Sequence, residues 1–256
     1  MVSYYRDVRD KTVRSHDYMG TLFIVSTPIG NLEDISIRAL RILGRVIVIC
    51  AEDTRRTALL ISELQKRYVQ YFPHVDDKPP TYIRVDEFTE MKRAPELIAT
   101  LESGVDIALV SDAGTPLLSD PGYLIVMHCR KRGIPVVVVP GSSSVLTALV
   151  GSGMPTLPFE FNGFFPEKTN SRSDFFLSIK QQSLTFPKNP ITHVFFVSPH
   201  DLHAMLTLFT SVFGDQELCI CRELTKIHEE YWRGTATAAL TYFAEPKGEF
   251  VIVFRM

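Results

Sequence analysis

The chain has 256 residues, 45% of them hydrophobic and 22% charged, with a formal net charge of −2. That length can bury a substantial core and fill two domains, and the composition excludes a disordered or collagen-like chain. The charge balance gives no global pull toward nucleic acid, so any such contact has to come from local patches.

No apolar run reaches the length of a membrane span, and the charged start M-V-S-Y-Y-R-D-V-R-D-K has no apolar signal core. A cytoplasmic protein is expected. Residues 1–19 show no periodicity and read as an extension. The run T-L-F-I-V-S (21–26) is a buried strand that ends in the tight loop Thr27-Pro28-Ile29-Gly30-Asn31. Asp34 fits an N-cap, and Ile37, Leu40, Ile42 and Leu43 mark a short amphipathic helix with Arg38, Arg41 and Arg45 outward. A second strand, 45–52, runs into Glu52-Asp53-Thr54-Arg55-Arg56 and a helix over 56–66, with Asp53 or Thr54 as its cap. A loop (73–80) precedes a short strand (82–85) and a helix over 90–102 whose one face is Met91, Ala94, Leu97, Ile98 and Leu101.

A third buried strand, 105–110, opens into S-D-A-G-T-P-L-L-S-D-P-G (111–122) and a helix over 123–132 closed by Gly133. Two Gly-Pro-Asp clusters between a strand and a helix present backbone: glycine allows close approach of a ligand, and proline fixes φ and removes a donor. Asp112 and Asp120 add acceptors at the carboxyl end of a strand, where open α/β sheets bind ligands. Asp120 and Pro121 also read simply as a cap and first residue of that helix. The run P-V-V-V-V-P (135–140) is a fully buried strand, followed by Gly141-Ser142-Ser143-Ser144 at the start of a small-residue helix. Those hydroxyls and amides suit a carboxylate or phosphate, or cap the helix.

Past the Gly/Pro-rich residues 151–158 the alternation resumes. Strands are expected at 159–164, 191–198, 216–223, 229–234 and 249–255, and helices at 174–182, 200–213 and 238–244. Adjacent strands there require a mixed sheet. The fold class is α/β: two successive α/β domains with mixed sheets, at 20–140 and 141–256. Cys50, Cys129, Cys219 and Cys221 form no C-x-x-C and read as buried thiols, the last two on one side of a strand, so no metal site is expected.

Neither G-x-x-x-x-G-K-[ST] nor G-x-G-x-x-G follows a strand, so a P-loop or ordinary dinucleotide site is not supported. The loops carry carboxylates and hydroxyls but no lysine, which disfavours a polyphosphate. A neutral or cationic ligand with hydroxyls and an amine fits better, and S-adenosylmethionine has that character. Glu52 and Asp53 at a strand end could position or deprotonate a substrate, with Arg55 and Arg56 for an anionic partner.

T-P-I-G-N-L-E-D-I, A-E-D-T-R, A-L-V-S-D-A-G-T-P-L-L-S-D-P-G-Y, G-F-F-P-E-K, S-P-H, R-E-L-T-K-I-H-E-E and K-G-E-F-V occur in this order from about residue 20 to 254. Together they closely resemble the ribosomal RNA small subunit methyltransferase I family, within the tetrapyrrole methylase-like superfamily. The resemblance implies two α/β domains with an S-adenosylmethionine cleft between them, usually in a homodimer. It also implies 2′-O-methylation of a cytidine ribose in 16S rRNA. It places Pro28, Asp112, Ala113, Gly114, Leu117, Ser142, Ser143, Ser144, Val197 and Leu224 at the cofactor, and Glu52, Asp53 and Arg55 on the substrate side. Asp53 or Glu52 is the favoured proton acceptor.

Two segments depart from the family pattern. D-E-F-T-E (86–90) stands for H-x-H-N-E, and F-F-V-S-P-H-D has Val197 for Glu and Asp201 for Arg. Arginines 38, 41, 55, 56, 130, 132 and 172, with Lys131 and Lys168, favour an RNA backbone over a small molecule. Methyl transfer to a tetrapyrrole or other small substrate, and a non-catalytic RNA-binding assembly factor, are the competing readings.

Overall fold

The computed structural model describes residues 19–72, 79–185 and 188–256, so the expected N-terminal extension (except Met19) and most of the loop at 73–80 lie outside it. Among the described residues the chain forms two compact units. One comprises the chain up to Ser26 with Ser36–Asp112 and Asp120–Pro140; the other comprises Thr27–Ile35, Ala113–Ser119 and Gly141–Met256. The loops 27–35 and 113–119 therefore pack with the second unit, although the first half of the sequence carries them.

In the first unit, strands β1 (Leu22–Val25), β2 (Val48–Ala51), β3 (Thr81–Arg84), β4 (Ile107–Val110) and β5 (Val136–Val139) form one sheet in the order β3-β2-β4-β1-β5. Every pairing is parallel, so this sheet is not mixed as expected. Strands buried on both faces read as continuous apolar runs, which is why β1 and β4 are buried at all four positions. β5 is the exception among the apolar runs. It lies at an edge and leaves Val138 56% exposed, so it is not the fully buried strand its valines suggest.

Helices α1 (Ile37–Leu43), α2 (Thr54–Arg67), α3 (Glu90–Glu102) and α4 (Tyr123–Arg132) connect these strands. Ser36, not Asp34, caps α1: its Oγ accepts from Ala39 N at 3.1 Å, and Asp34 instead ends a short 3-10 turn. Ile37 and Met91 both face outward, against expectation, while Ala94, Leu97, Ile98 and Leu101 carry the buried face of α3.

The N-terminus of α4 also departs from expectation. Gly122 occupies the cap position at φ 129 and has no side chain to offer, and Asp120 does not cap. Instead the buried Glu90 reaches over from α3, and its Oε1 accepts from Leu124 N at 2.7 Å and Ile125 N at 3.3 Å. A carboxylate there satisfies orphan N–H groups and complements the helix dipole. Glu90→Ala is expected to lower unfolding free energy by about 1–2 kcal/mol, measured in urea, with Glu90→Gln retaining much of it. A wild-type midpoint for the alanine variant would show that this bond does not support the helix.

In the second unit, β6 (Phe159–Phe164), β7 (Thr192–Val197), β8 (Glu217–Arg222), β9 (Glu230–Thr235) and β10 (Phe250–Arg255) form a sheet in the order β6-β7-β10-β8-β9. Only β6 and β7 are parallel, so this sheet is mixed as expected. Side chains alternate between its two faces. Phe195 and Val197 of β7, with Phe250, Ile252 and Phe254 of β10, meet α6 (Thr169–Thr185), α7 (Leu202–Phe213) and α8 (Ala236–Tyr242). Val194, Cys219, Cys221, Val251 and Val253 face the other way, against α5 (Ser144–Gly151) and the side chains of Ile29 and Leu224.

Candidate functional site

The two units each hold part of the expected constellation. In the first, the parallel register sets Ala51 beside Arg84 and Cys50 beside Leu109, so the residues just beyond these strands gather at one edge of the sheet. They are Glu52, Asp53, Asp86 and Asp112, and Asp120 joins them through Ser111. Five carboxylates at the carboxyl edge of a parallel sheet lie where such folds bind ligands.

Their environments differ. Asp53 is the N-cap of α2, its Oδ1 accepting from Arg55 N at 2.9 Å and Arg56 N at 3.2 Å. These backbone donors hold its carboxyl below the ordinary range. Asp112 accepts from Asp53 N and from Arg56 Nη1, both at 3.2 Å. Asp86 is buried, bonded to Phe88 N, Thr89 N and the Thr89 hydroxyl, and paired with Arg84 at 2.7 Å; hydrogen bonding to Thr89 keeps its carboxyl low.

Glu52 and Asp120 move the other way. Partial burial raises Glu52, and the negative charges of Asp112, Asp86 and Glu87 raise it further against the opposing effect of Arg56. Burial pushes Asp120 up to about 6, with Glu52 and Asp112 adding to the shift and a hydrogen bond from the Ser111 hydroxyl opposing it. Carboxylates crowded with like charge resist ionising together, and here Asp53 and Asp86 are held low while Glu52 and Asp120 are raised.

In the second unit, three loops are joined by hydrogen bonds. Thr27 N donates to Gly114 O at 2.9 Å and Gly114 N to Thr27 O at 3.2 Å. The Thr115 hydroxyl donates to Ser142 O at 3.1 Å, and the Ser142 hydroxyl to Asp34 O at 3.4 Å. Around them lies a pocket lined by Ile29, Ala113, Ser144, Leu224, Glu249 and Val251. Of the expected cofactor residues, Ala113, Ser144 and Leu224 line it directly, Pro28 precedes Ile29, and Gly114 and Ser142 tie its loops. Ser143 caps α5, accepting from Leu146 N. Leu117 lies in the same loop as Ala113 and Gly114. Val197 does not reach the pocket: its side chain is in the phenylalanine-rich core on the opposite face of the sheet. Ile29, Glu249 and Val251 were missed as lining residues, though all three fall inside the T-P-I-G-N and K-G-E-F-V motifs.

The backbone beside the pocket is strained. Among the described residues, the non-glycine positions with positive φ are Leu117 (72°), Ser119 (66°), Glu223 (48°) and Thr225 (65°). Each costs about 1–2 kcal/mol for an L-residue, and such cost collects at ligand-binding segments. Gly114 sits at φ 84, where a Cβ would come within 3.1 Å of Ile29 Cγ2.

A cationic, adenine-bearing methyl donor fits these residues. Ile29, Leu224 and Val251 offer apolar walls for a flat ring, and Ser144 and Glu249 offer acceptors. The buried Thr225 hydroxyl has no hydrogen-bond partner among the described residues. Lys226 does come close, its stem against Gly30, but its ammonium is held by Glu223 at 2.9 Å and Glu249 at 3.2 Å. No unpaired cation is thus offered to a phosphate chain by this segment.

Several arginines expected to face RNA are committed elsewhere. Arg172 pairs with Asp201, donates to Pro166 O and lies over the Phe165 ring, so the G-F-F-P-E-K and S-P-H-D segments are joined by it. Arg132 pairs with Glu102, and Arg38 donates to Val138 O. Arg55, Arg130 and Lys131 are exposed and form no ion pair among the described residues. Those residues also show no cluster fit for a metal ion and no helix long and apolar enough to cross a membrane.

Residues 21–240 match the family of tetrapyrrole (corrin/porphyrin) methylases. A ribosomal RNA small subunit methyltransferase I of Thermotoga maritima is 40% identical over 237 residues, covering 92% of this chain and 98% of the relative. The chain belongs to the ribosomal RNA small subunit methyltransferase I family. As a member of this family it is a methyltransferase that takes S-adenosylmethionine as its methyl donor. A second family member, from Synechocystis, is 40% identical over 238 residues, covering 92% of this chain and 78% of the relative. In fold the chain is similar to the solved uroporphyrin-III-C-methyltransferase from Thermus thermophilus. The TM-score is 0.56 at 20% identity, covering 91% and 94% of the two chains.

Proposed function

We propose that this methyltransferase modifies the 2′-hydroxyl of a cytidine ribose in 16S rRNA of the small ribosomal subunit, working in the cytoplasm as a homodimer. The curated relatives are named for small-subunit ribosomal RNA. The observation that carries the chemistry is the pairing of Asp120, pushed up to about 6, with the raised Glu52. A carboxylate poised near neutrality is a better proton acceptor than a fully stabilised one, because basicity follows pKa. Asp120 accepts the one proton of the ribose hydroxyl as its oxygen attacks, and the negative charge of Glu52 beside it raises its basicity. Asp53, engaged as the cap of α2, positions that helix and Arg55. Asp112 anchors Asp53 and Arg56, and the chain runs from it directly into Ala113 of the donor pocket. Ala113, Ser144, Leu224 and Glu249 hold the donor, which supplies an electrophilic methyl on a sulfonium. Holding both reactants in line supplies much of the acceleration.

The test is transfer of tritiated methyl to small ribosomal subunits, to free 16S rRNA and to a porphyrinoid precursor. Nuclease-sensitive label on RNA, at a position that resists alkaline cleavage, is the expected result. Label on the porphyrinoid alone would replace this reading, and RNA binding with no transfer to any substrate would identify an assembly factor. Sedimentation of the free protein checks the homodimer.

A further inference from the structure

Within the first unit the turn at 86–89, which leads into α3, is closed by a reciprocal Asp86–Thr89 pair. Asp86 Oδ1 accepts from Phe88 N at 3.1 Å, from Thr89 N at 2.8 Å and from the Thr89 hydroxyl at 2.7 Å, while Asp86 N donates back to Thr89 Oγ1 at 2.9 Å. Arg84 Nε closes on the other carboxylate oxygen at 2.7 Å. The product of this lattice is an outward-pointing phenyl ring: Phe88 is 84% exposed, against 66% for Tyr123 and 60% for Phe164. The same bonds cap the start of α3, where Glu90 N donates to Asp86 O at 2.9 Å, and they fix the backbone from which the Phe88 ring projects, away from every core cluster.

The position of the turn gives the ring a use. β3 runs beside β2, and the charges of Asp86 and Glu87 reach Glu52. The turn that carries the ring thus lies at the same sheet edge as Glu52. We propose that Phe88 is a stacking platform for a base of the single-stranded RNA segment that carries the methylated nucleotide. This rests on the RNA reading above. Bases stack on aromatic faces whatever their sequence, and a preset turn spares the backbone its ordering cost at binding. The exposed Lys92 on α3 and Arg55 on α2, which make no ion pair among the described residues, are the cations of this unit's edge available to flanking phosphates.

The experiment measures association of the full chain with small ribosomal subunits and with a radiolabelled 16S rRNA transcript, by filter binding, for wild type, Phe88→Ala and Phe88→Trp. The alanine variant is expected to bind about 5- to 150-fold more weakly, the range for loss of one stacked base, and the tryptophan variant to bind at least as tightly as wild type. Thermal unfolding and calorimetric binding of S-adenosylhomocysteine should be unchanged in both, which excludes a merely structural effect. Equal RNA affinity for the alanine variant and wild type overturns the proposal while leaving the RNA reading intact. A wild-type protein that binds neither the transcript nor the small ribosomal subunit overturns both. Loss of the dimer in Phe88→Ala, seen by sedimentation, also overturns it, because the ring then serves self-association.

Discussion

Replacing Asp120 with asparagine is expected to lower kcat by about 10²- to 10⁴-fold, the usual worth of a positioned proton acceptor. Affinity for S-adenosylhomocysteine should stay near wild type, because Asp120 lies with Ser111, Glu52 and Asp112 and not among the residues lining the pocket we propose for the donor. The pH profile carries a second signature. With the carboxyl pushed up to about 6, turnover should rise with pH through that value and level off above it; the asparagine variant should lack that limb. Stability runs in the opposite sense. The folded pKa lies above the ordinary 3.8, so the folded state binds more protons between those values, and stability falls as pH rises from about 4 to 6. The amide carries no such charge, so the variant Asp120→Asn should be more stable than wild type above pH 6, with the advantage fading on acidification. A variant with full activity and an unchanged profile would remove Asp120 from the reaction and leave Glu52 as acceptor.

Phe176→Ala is the substitution expected to cost most stability. Its ring is fully buried, with centroids of Phe165, Phe175, Phe195, Phe209 and Phe213 at 5.5, 5.3, 6.0, 5.7 and 5.4 Å. Truncation removes both the burial and the edge-to-face contacts, and no neighbouring side chain can fill the space without breaking its own ring contacts. A loss of about 3–5 kcal/mol is expected from denaturant unfolding, with Phe176→Leu milder. Near-wild-type unfolding of the alanine variant would mean that α6 does not seal the phenylalanine core.

What could be read from the sequence follows from whether the signal was local. The limits of α4 were legible because Gly133, at φ 70, ends the helix in its own sequence neighbourhood. The cap on that helix was not legible, because Glu90 lies 34 residues before Leu124 and only the contact of α3 with α4 joins them. Four consecutive valines announce a strand, yet nothing in them separates an edge position from a central one, hence the error at β5. T-H-V-F-F-V is apolar on both faces, so parity could not say which face turns to the pocket, and Val197 falls on the other. The carboxylates were all visible as residues. Which of them are held low and which are raised depended on the backbone amides, the burial and the neighbouring charge that the fold brings to each.

The four thiols offer a way to watch each half of the molecule separately. Cys50 and Cys129 lie in the first unit and Cys219 and Cys221 in the second, all buried and unoxidised. Burial pushes Cys50 up to about 12 and Cys129 to about 11, so neither reacts until its surroundings open. The rate at which a disulfide reagent labels each pair therefore reports the opening equilibrium of that half, and if the proposed pocket holds the donor, added donor should slow labelling of the second pair before the first.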